Sequence, residues 1–146
     1  MLYAANGVPR EKISVIKNGI DVDNFGPPRH RSGTVTLGFI GHLGKHKGLD
    51  VLLHALSLIE AKKVRLLVVG AGEEAEPLKA FCRELGLHGQ VTFYGHVDNQ
   101  RIASIYQQID VLIVPSVWPE NSPVTITEAM ASGIPIIASE VGGIGE

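Results

Sequence analysis

From Thr34 onward the chain repeats one pattern, a short β-branched run followed by a segment with helical periodicity. The expected strands are Val35–Ile40, Val64–Val69, Val91–Tyr94, Val111–Val114 and Ile134–Ala138. Between them, helices are expected over Leu49–Glu60, Glu74–Leu85, Arg101–Gln108 and Pro123–Ser132. The first carries an apolar stripe of Leu49, Leu52, Leu53, Leu56 and Ile59 at helical spacing. Such alternation leaves few topologies open. It predicts an α/β fold with a Rossmann-like parallel sheet, helices on both faces and right-handed crossovers. At 146 residues, 45% of them apolar, the chain is long enough for one substantial core.

Residues 1–33 read differently. Asn6-Gly7, Pro9, Asn18-Gly19 and Gly26-Pro27-Pro28 are turn signals, and a basic run follows at Arg29-His30-Arg31. Only Lys12–Lys17 has strand character, so the segment is expected to be a linker leading into a domain at 34–146.

The last helix has both ends marked. The Ser122 hydroxyl is expected to cap it, with Pro123 at the first helical position, where its missing N–H costs nothing. Gly133 suits a left-handed C-terminus, and Pro135 stops any continuation. Two carboxylates bracket the element, Glu120 just before it and Glu128 within it. Free N–H groups at a helix start favour an anion such as phosphate. A phosphate held there, with Glu120 and Glu128 accepting hydrogen bonds from hydroxyls on either side, describes a sugar nucleotide.

In open parallel sheets ligands bind beyond the carboxyl ends of the strands. The loops that matter are therefore Gly41–Gly48, Gly70–Glu74, Gly95–Asn99 and Ser116–Ser122. The first is glycine-rich and carries His42, Lys45, His46 and Lys47; such a loop brings backbone close to a phosphate while lysine adds a point charge. Gly70-x-Gly72-x-x-Ala75 matches part of a dinucleotide fingerprint, but it follows the second strand and lacks the expected acid about 20 residues on. A nicotinamide-linked dehydrogenase is accordingly the weakest reading.

Other classes are set aside. A formal charge of −2 and a pI near 6.3 give no footprint for nucleic acid. The lone Cys82 forms no internal disulfide and fits a reducing compartment. The histidines are not spaced as metal ligands, and the serines lack the setting of a hydrolase triad. No apolar run approaches a bilayer span and no signal peptide is evident, so a cytoplasmic location is expected.

Glu120-x7-Glu128 stands with Ile16–Asp21 and Phe25, Gly41–Gly48, Val68–Gly72, Phe93–Gly95, Asp110–Ser116 and Gly142-Gly143. In that order these resemble the C-terminal, donor-binding domain of the retaining GT-B glycosyltransferases of family 4. The resemblance implies a nucleoside-diphosphate sugar, UDP-, GDP- or ADP-linked, as donor, with no cofactor and no metal. It makes Glu120 and Lys47 the catalytic pair: Glu120 holds hydroxyls of the transferred sugar, and Lys47 grips the diphosphate. Gly41, Ser122 and the N–H groups of Val124 and Thr125 would line the phosphate site, Glu128 would hold the ribose, and Val97 would lie near the base. His42 stands where the family often has arginine, so the resemblance places it at the donor diphosphate; a neutral imidazole does not replace a bidentate guanidinium, which leaves it either protonated by the bound diphosphate or giving a single hydrogen bond. Pro123 removes one backbone donor. Asn18–Asp21 would lie at the cleft.

The family pattern also implies an N-terminal acceptor domain missing here, and a sheet truncated at its C-terminal end. The fragment alone is then expected to transfer nothing. The acceptor, a sugar or a lipid, is left open, and the intact enzyme is compatible with peripheral attachment to a membrane. The alternatives are a free-standing nucleotide-binding module and a GT-B sugar-nucleotide epimerase.

Overall fold

The computed structural model describes residues 5–14, 16, 18–28, 33–59 and 63–145. The basic run 29–31 and part of the expected Lys12–Lys17 strand lie outside them, and Lys12 itself closes a 3-10 turn, Arg10–Lys12. The strands are β1 (Val35–Ile40), β2 (Val64–Val69), β3 (Val91–Gly95), β4 (Val111–Val114) and β5 (Ile136–Ala138). The helices are α1 (Leu49–Ser57), α2 (Ala75–Glu84), α3 (Asn99–Tyr106) and α4 (Val124–Ala131).

All pairings are parallel, in the order β3-β2-β1-β4-β5. The order reverses between β1 and β4, where a crevice opens beyond the strand ends. Central strands buried on both faces read as continuous apolar runs, and β2 shows why. Its Leu66 and Val68 join Phe39, Leu49, Leu53, Leu56, Leu78 and Cys82 on one side. Leu67 and Val69 join Ile105, Tyr106, Ile109, Ala129 and Ile134 on the other. Two cores thus hold helices on both faces of the sheet.

Several expected boundaries move, and three of the shifts have a plain local reason. α1 ends at Ser57, whose hydroxyl bonds back to the His54 carbonyl at 2.7 Å, and Ile59 is 48% exposed, so the apolar stripe stops at Leu56. α3 begins two residues early, because Asp98 takes the N-cap position and its carbonyl accepts the Arg101 N–H at 2.8 Å. β5 shortens to Ile136–Ala138, since Pro135 has no N–H and contributes only its carbonyl, which accepts from Leu112 at 3.0 Å. Ile134 is instead buried beneath α4.

Candidate functional site

The glycine-rich loop leaves β1 alongside the loop that leaves β2. The Gly41 N–H donates to the Val69 carbonyl at 3.0 Å, Leu43 to Ala71 at 2.9 Å, and Glu74 back to Leu43 at 2.9 Å. The two loops approach so closely that a Cβ on Gly70 would collide with the Gly41 carbonyl. A 3-10 turn, Lys45–Lys47, then ends at Gly48, whose φ of +67° and close approach to the Pro115 carbonyl exclude a side chain. The His46 carbonyl accepts the Val117 N–H at 3.0 Å, tying this turn to the loop after β4.

That tie seats Lys47 against Glu120. Lys47 Nζ lies 2.6 Å from Glu120 Oε1, which also accepts the hydroxyl of buried Ser116 at 2.8 Å. Burial pushes the Glu120 carboxyl up, but the hydrogen bonds from Lys47 and Ser116 outweigh it and hold its pKa below the ordinary value. The backbone of Glu120 is fixed too, bridging to Gly142 and accepting the Gly143 N–H at 2.6 Å.

Beside the sheet ends, α4 starts differently from expectation. Pro123, with φ −62° and ψ 117°, occupies the N-cap position, and its carbonyl accepts the Ile126 N–H at 3.1 Å. Ser122 therefore sits one residue too early to cap, and its hydroxyl makes no such bond. Consequently the N–H groups of Val124 and Thr125 have no partner among the described residues.

Those N–H groups border a cavity of about 400 Å³ that Gly41, His42, Val97, Val124, Thr125 and Glu128 help to line. A neighbouring cavity of about 560 Å³ shares Asn99, Ile102 and Glu128 with it and reaches Ile20, Asp21 and Phe25. Glu128 stands between the two. The Tyr106 hydroxyl, 2.8 Å from its carboxylate and 3.1 Å from the Thr125 carbonyl, orients it. Phe25 packs edge-on against Tyr106 at 5.7 Å between centroids. Burial raises the Glu128 pKa above the ordinary carboxylate value, and the Tyr106 hydrogen bond offsets this only in part.

The residues picked out in the sequence thus fall into three places. Gly41, His42, Val97, Val124, Thr125 and Glu128 share one cavity. Lys47 and Glu120 pair with each other and do not line it. Ser122 lines a separate cavity of about 410 Å³ with Asn18 and Met130, and its carbonyl accepts from Asn18 Nδ2 at 3.4 Å. Sequence reasoning missed Tyr106, Ser116 and Glu73, the last lying 2.7 Å from His42. Only Glu73 carried a signal, as an acid directly after Gly72 in a loop at the sheet's carboxyl end.

Residues 23–146 match the family model described as Glycosyl transferases group 1. The chain is 30% identical over 152 residues to an uncharacterized glycosyltransferase of Methanocaldococcus jannaschii, covering 94% of this chain and 39% of that protein. It is 31% identical over 162 residues to D-inositol 3-phosphate glycosyltransferase of Rhodococcus erythropolis, covering 99% of this chain and 36% of that one. The crystal structure of Anabaena HepE in complex with UDP and glucose superposes with a TM-score of 0.84 at 25% identity, covering 97% of this chain and 42% of HepE. The chain therefore spans well under half the length of each. Its parallel sheet and flanking helices match GT-B glycosyltransferase structures. The chain belongs to the group 1 glycosyl transferases.

Proposed function

We propose that residues 34–146 form the donor-binding half of a two-domain, retaining glycosyltransferase of the family 4 type, with 1–33 as the linker from an acceptor domain. The donor is a nucleoside-diphosphate hexose. A uridine nucleotide is favoured, because HepE, similar over nearly this whole chain, is described in complex with UDP and glucose. The observation that carries the reading is the cavity where the unpartnered N–H groups of Val124 and Thr125 meet the Gly41 backbone and the Glu128 carboxylate. It offers an anion site and a hydroxyl acceptor side by side.

In this reading the N–H groups and Lys47 stabilise the diphosphate as negative charge accumulates on it during sugar departure. Glu120, kept ionised by Lys47 and Ser116, accepts hydrogen bonds from the sugar hydroxyls. Glu128 accepts from the ribose, and Val97 lies at the base. Closure of the acceptor domain would exclude water. No described helix is long and apolar enough to cross a membrane; the reading places the enzyme in the cytoplasm, acting on a sugar or lipid acceptor. The chain alone is expected to bind donor and to transfer nothing.

Glu128→Gln tests the site through two opposite effects. Burial raises the folded-state pKa of Glu128 above 4.5, so its favourable contribution is fully present below that value and is lost as pH rises through the folded value. Glutamine never ionises, so the variant should melt higher than wild type at pH 7 and at the same temperature at pH 4. Calorimetric titration with UDP, GDP and ADP should meanwhile show one preferred nucleotide, bound about tenfold more weakly by the variant. Equal binding by both proteins would remove Glu128 from the site.

A further inference from the structure

We propose that Tyr106 is a positioning residue that aims the Glu128 carboxylate at the ribose hydroxyls of the donor, and that Phe25 of the entry segment holds Tyr106 in place for that task. This rests on the donor reading above. Tyr106 ends α3 and is fully buried, yet its hydroxyl meets a carboxylate that lines both cavities. It lies 2.8 Å from Glu128 Oε2 and 3.1 Å from the Thr125 carbonyl, one turn earlier on α4. The carbonyl locates the hydroxyl, and the hydroxyl locates the carboxylate.

The gain is preorganisation. A glutamate side chain samples several rotamers, and fixing it before the ligand arrives removes that entropy cost from binding. Tyr106 is suited to the task because burial and the facing Glu128 charge push its pKa up, so the phenol keeps its proton and remains a donor.

The ring is held from its other side by the entry segment. Phe25 packs edge-on against it at 5.7 Å between centroids, and both rings belong to one apolar cluster with Val97 and Ile102. A closed turn sets Phe25 in turn. Asp21 caps Val22–Asn24 by accepting the Asp23 N–H at 3.3 Å, and the Phe25 N–H donates to the Val22 carbonyl at 3.0 Å. The same segment supplies Ile20, Asp21, Asn24 and Phe25 to the larger cavity that Glu128 also lines. A segment that the donor reading makes the linker from the acceptor domain therefore reaches the ribose carboxylate through two packed rings.

Tyr106→Phe keeps the ring against Phe25 and removes only the hydroxyl. The probes are UDP and 2′,3′-dideoxy-UDP, which share base and diphosphate and differ only in the ribose hydroxyls. Wild type should prefer UDP about tenfold; Tyr106→Phe should bind UDP about fivefold more weakly and the dideoxy nucleotide as wild type does. Phe25→Ala, which leaves the hydroxyl without its support, should lose about threefold of the same preference. A second readout needs no nucleotide. The Tyr106 hydrogen bond lowers the Glu128 pKa against the effect of burial, so by NMR the Glu128 carboxyl should titrate at higher pH in Tyr106→Phe than in wild type. Asp21 in the larger cavity and His42 and His96 in the smaller one are the other titratable groups there, and the substitution leaves them in place. An equal loss for both nucleotides, or an unchanged Glu128 titration, would overturn the positioning role alone. An unaltered preference in Phe25→Ala would overturn the link to the entry segment. No preference for UDP in wild type would overturn the ribose role of Glu128, and with it this proposal, even where the Glu128 titration shifts as expected.

Discussion

Lys47→Ala is expected to weaken nucleotide-sugar binding by roughly ten- to a hundredfold, the range for one lost charge-assisted contact. The same substitution should lower stability, because it strands Glu120. The Glu120 side chain is 16% exposed, and without Lys47 the Ser116 hydroxyl is the one side-chain hydrogen bond left to its carboxylate among the described residues. The cost is about 1–3 kcal/mol at neutral pH. Its pH dependence identifies the cause. The Glu120 pKa is held below 4.5 in the folded protein, so its stabilising contribution is complete above that value and disappears as pH falls through the folded value. The stability gap between wild type and variant should therefore close in acid. Denaturant titrations at pH 7 and pH 3 would check this, and a gap that is constant with pH would mean that Lys47 stabilises by packing alone.

Gly48→Ala should have the largest effect on the fold near the site. A methyl group there meets the Pro115 carbonyl, and φ is +67°, so both the contact and the backbone must give way. Backbone strain and overpacking each cost on the order of 1–3 kcal/mol, which predicts a loss of about 2–4 kcal/mol. Gly48 lies between the turn that carries Lys47 and the first turn of α1. Relief of the clash therefore moves Lys47 away from Glu120, and nucleotide-sugar affinity should fall along with the melting temperature. A variant that melts like wild type and binds normally would show that this glycine does not set the lysine.

The same geometry explains what could be read in advance. β1, β2 and β4 begin and end where expected, because their β-branched and apolar stretches, buried towards the middle of the sheet, leave little doubt about the element. Helix starts were less legible. They depend on which residue takes the cap: Asp98 takes it and starts α3 two residues before the expected Arg101, and Pro123 takes it in place of Ser122. Loop motifs located Gly41, His42, Val124, Thr125 and Glu128 because glycines and helix starts have fixed consequences for backbone. The pairings were not legible. Tyr106 reaches Glu128 from another helix, and in sequence it is one more apolar position. Ser116 reaches Glu120 only through the bend of the loop after β4, and Glu73 meets His42 only because two loops from neighbouring strands run side by side.

The central claim, that the start of α4 and the loop after β1 form a diphosphate site, is tested most directly by mapping backbone amide shifts during titration with UDP. The account predicts the largest changes at Gly41, Val124 and Thr125, with smaller ones at Val97 and none along the outer faces of α1 and α2. Saturable shifts centred elsewhere, or none at millimolar nucleotide, would contradict it.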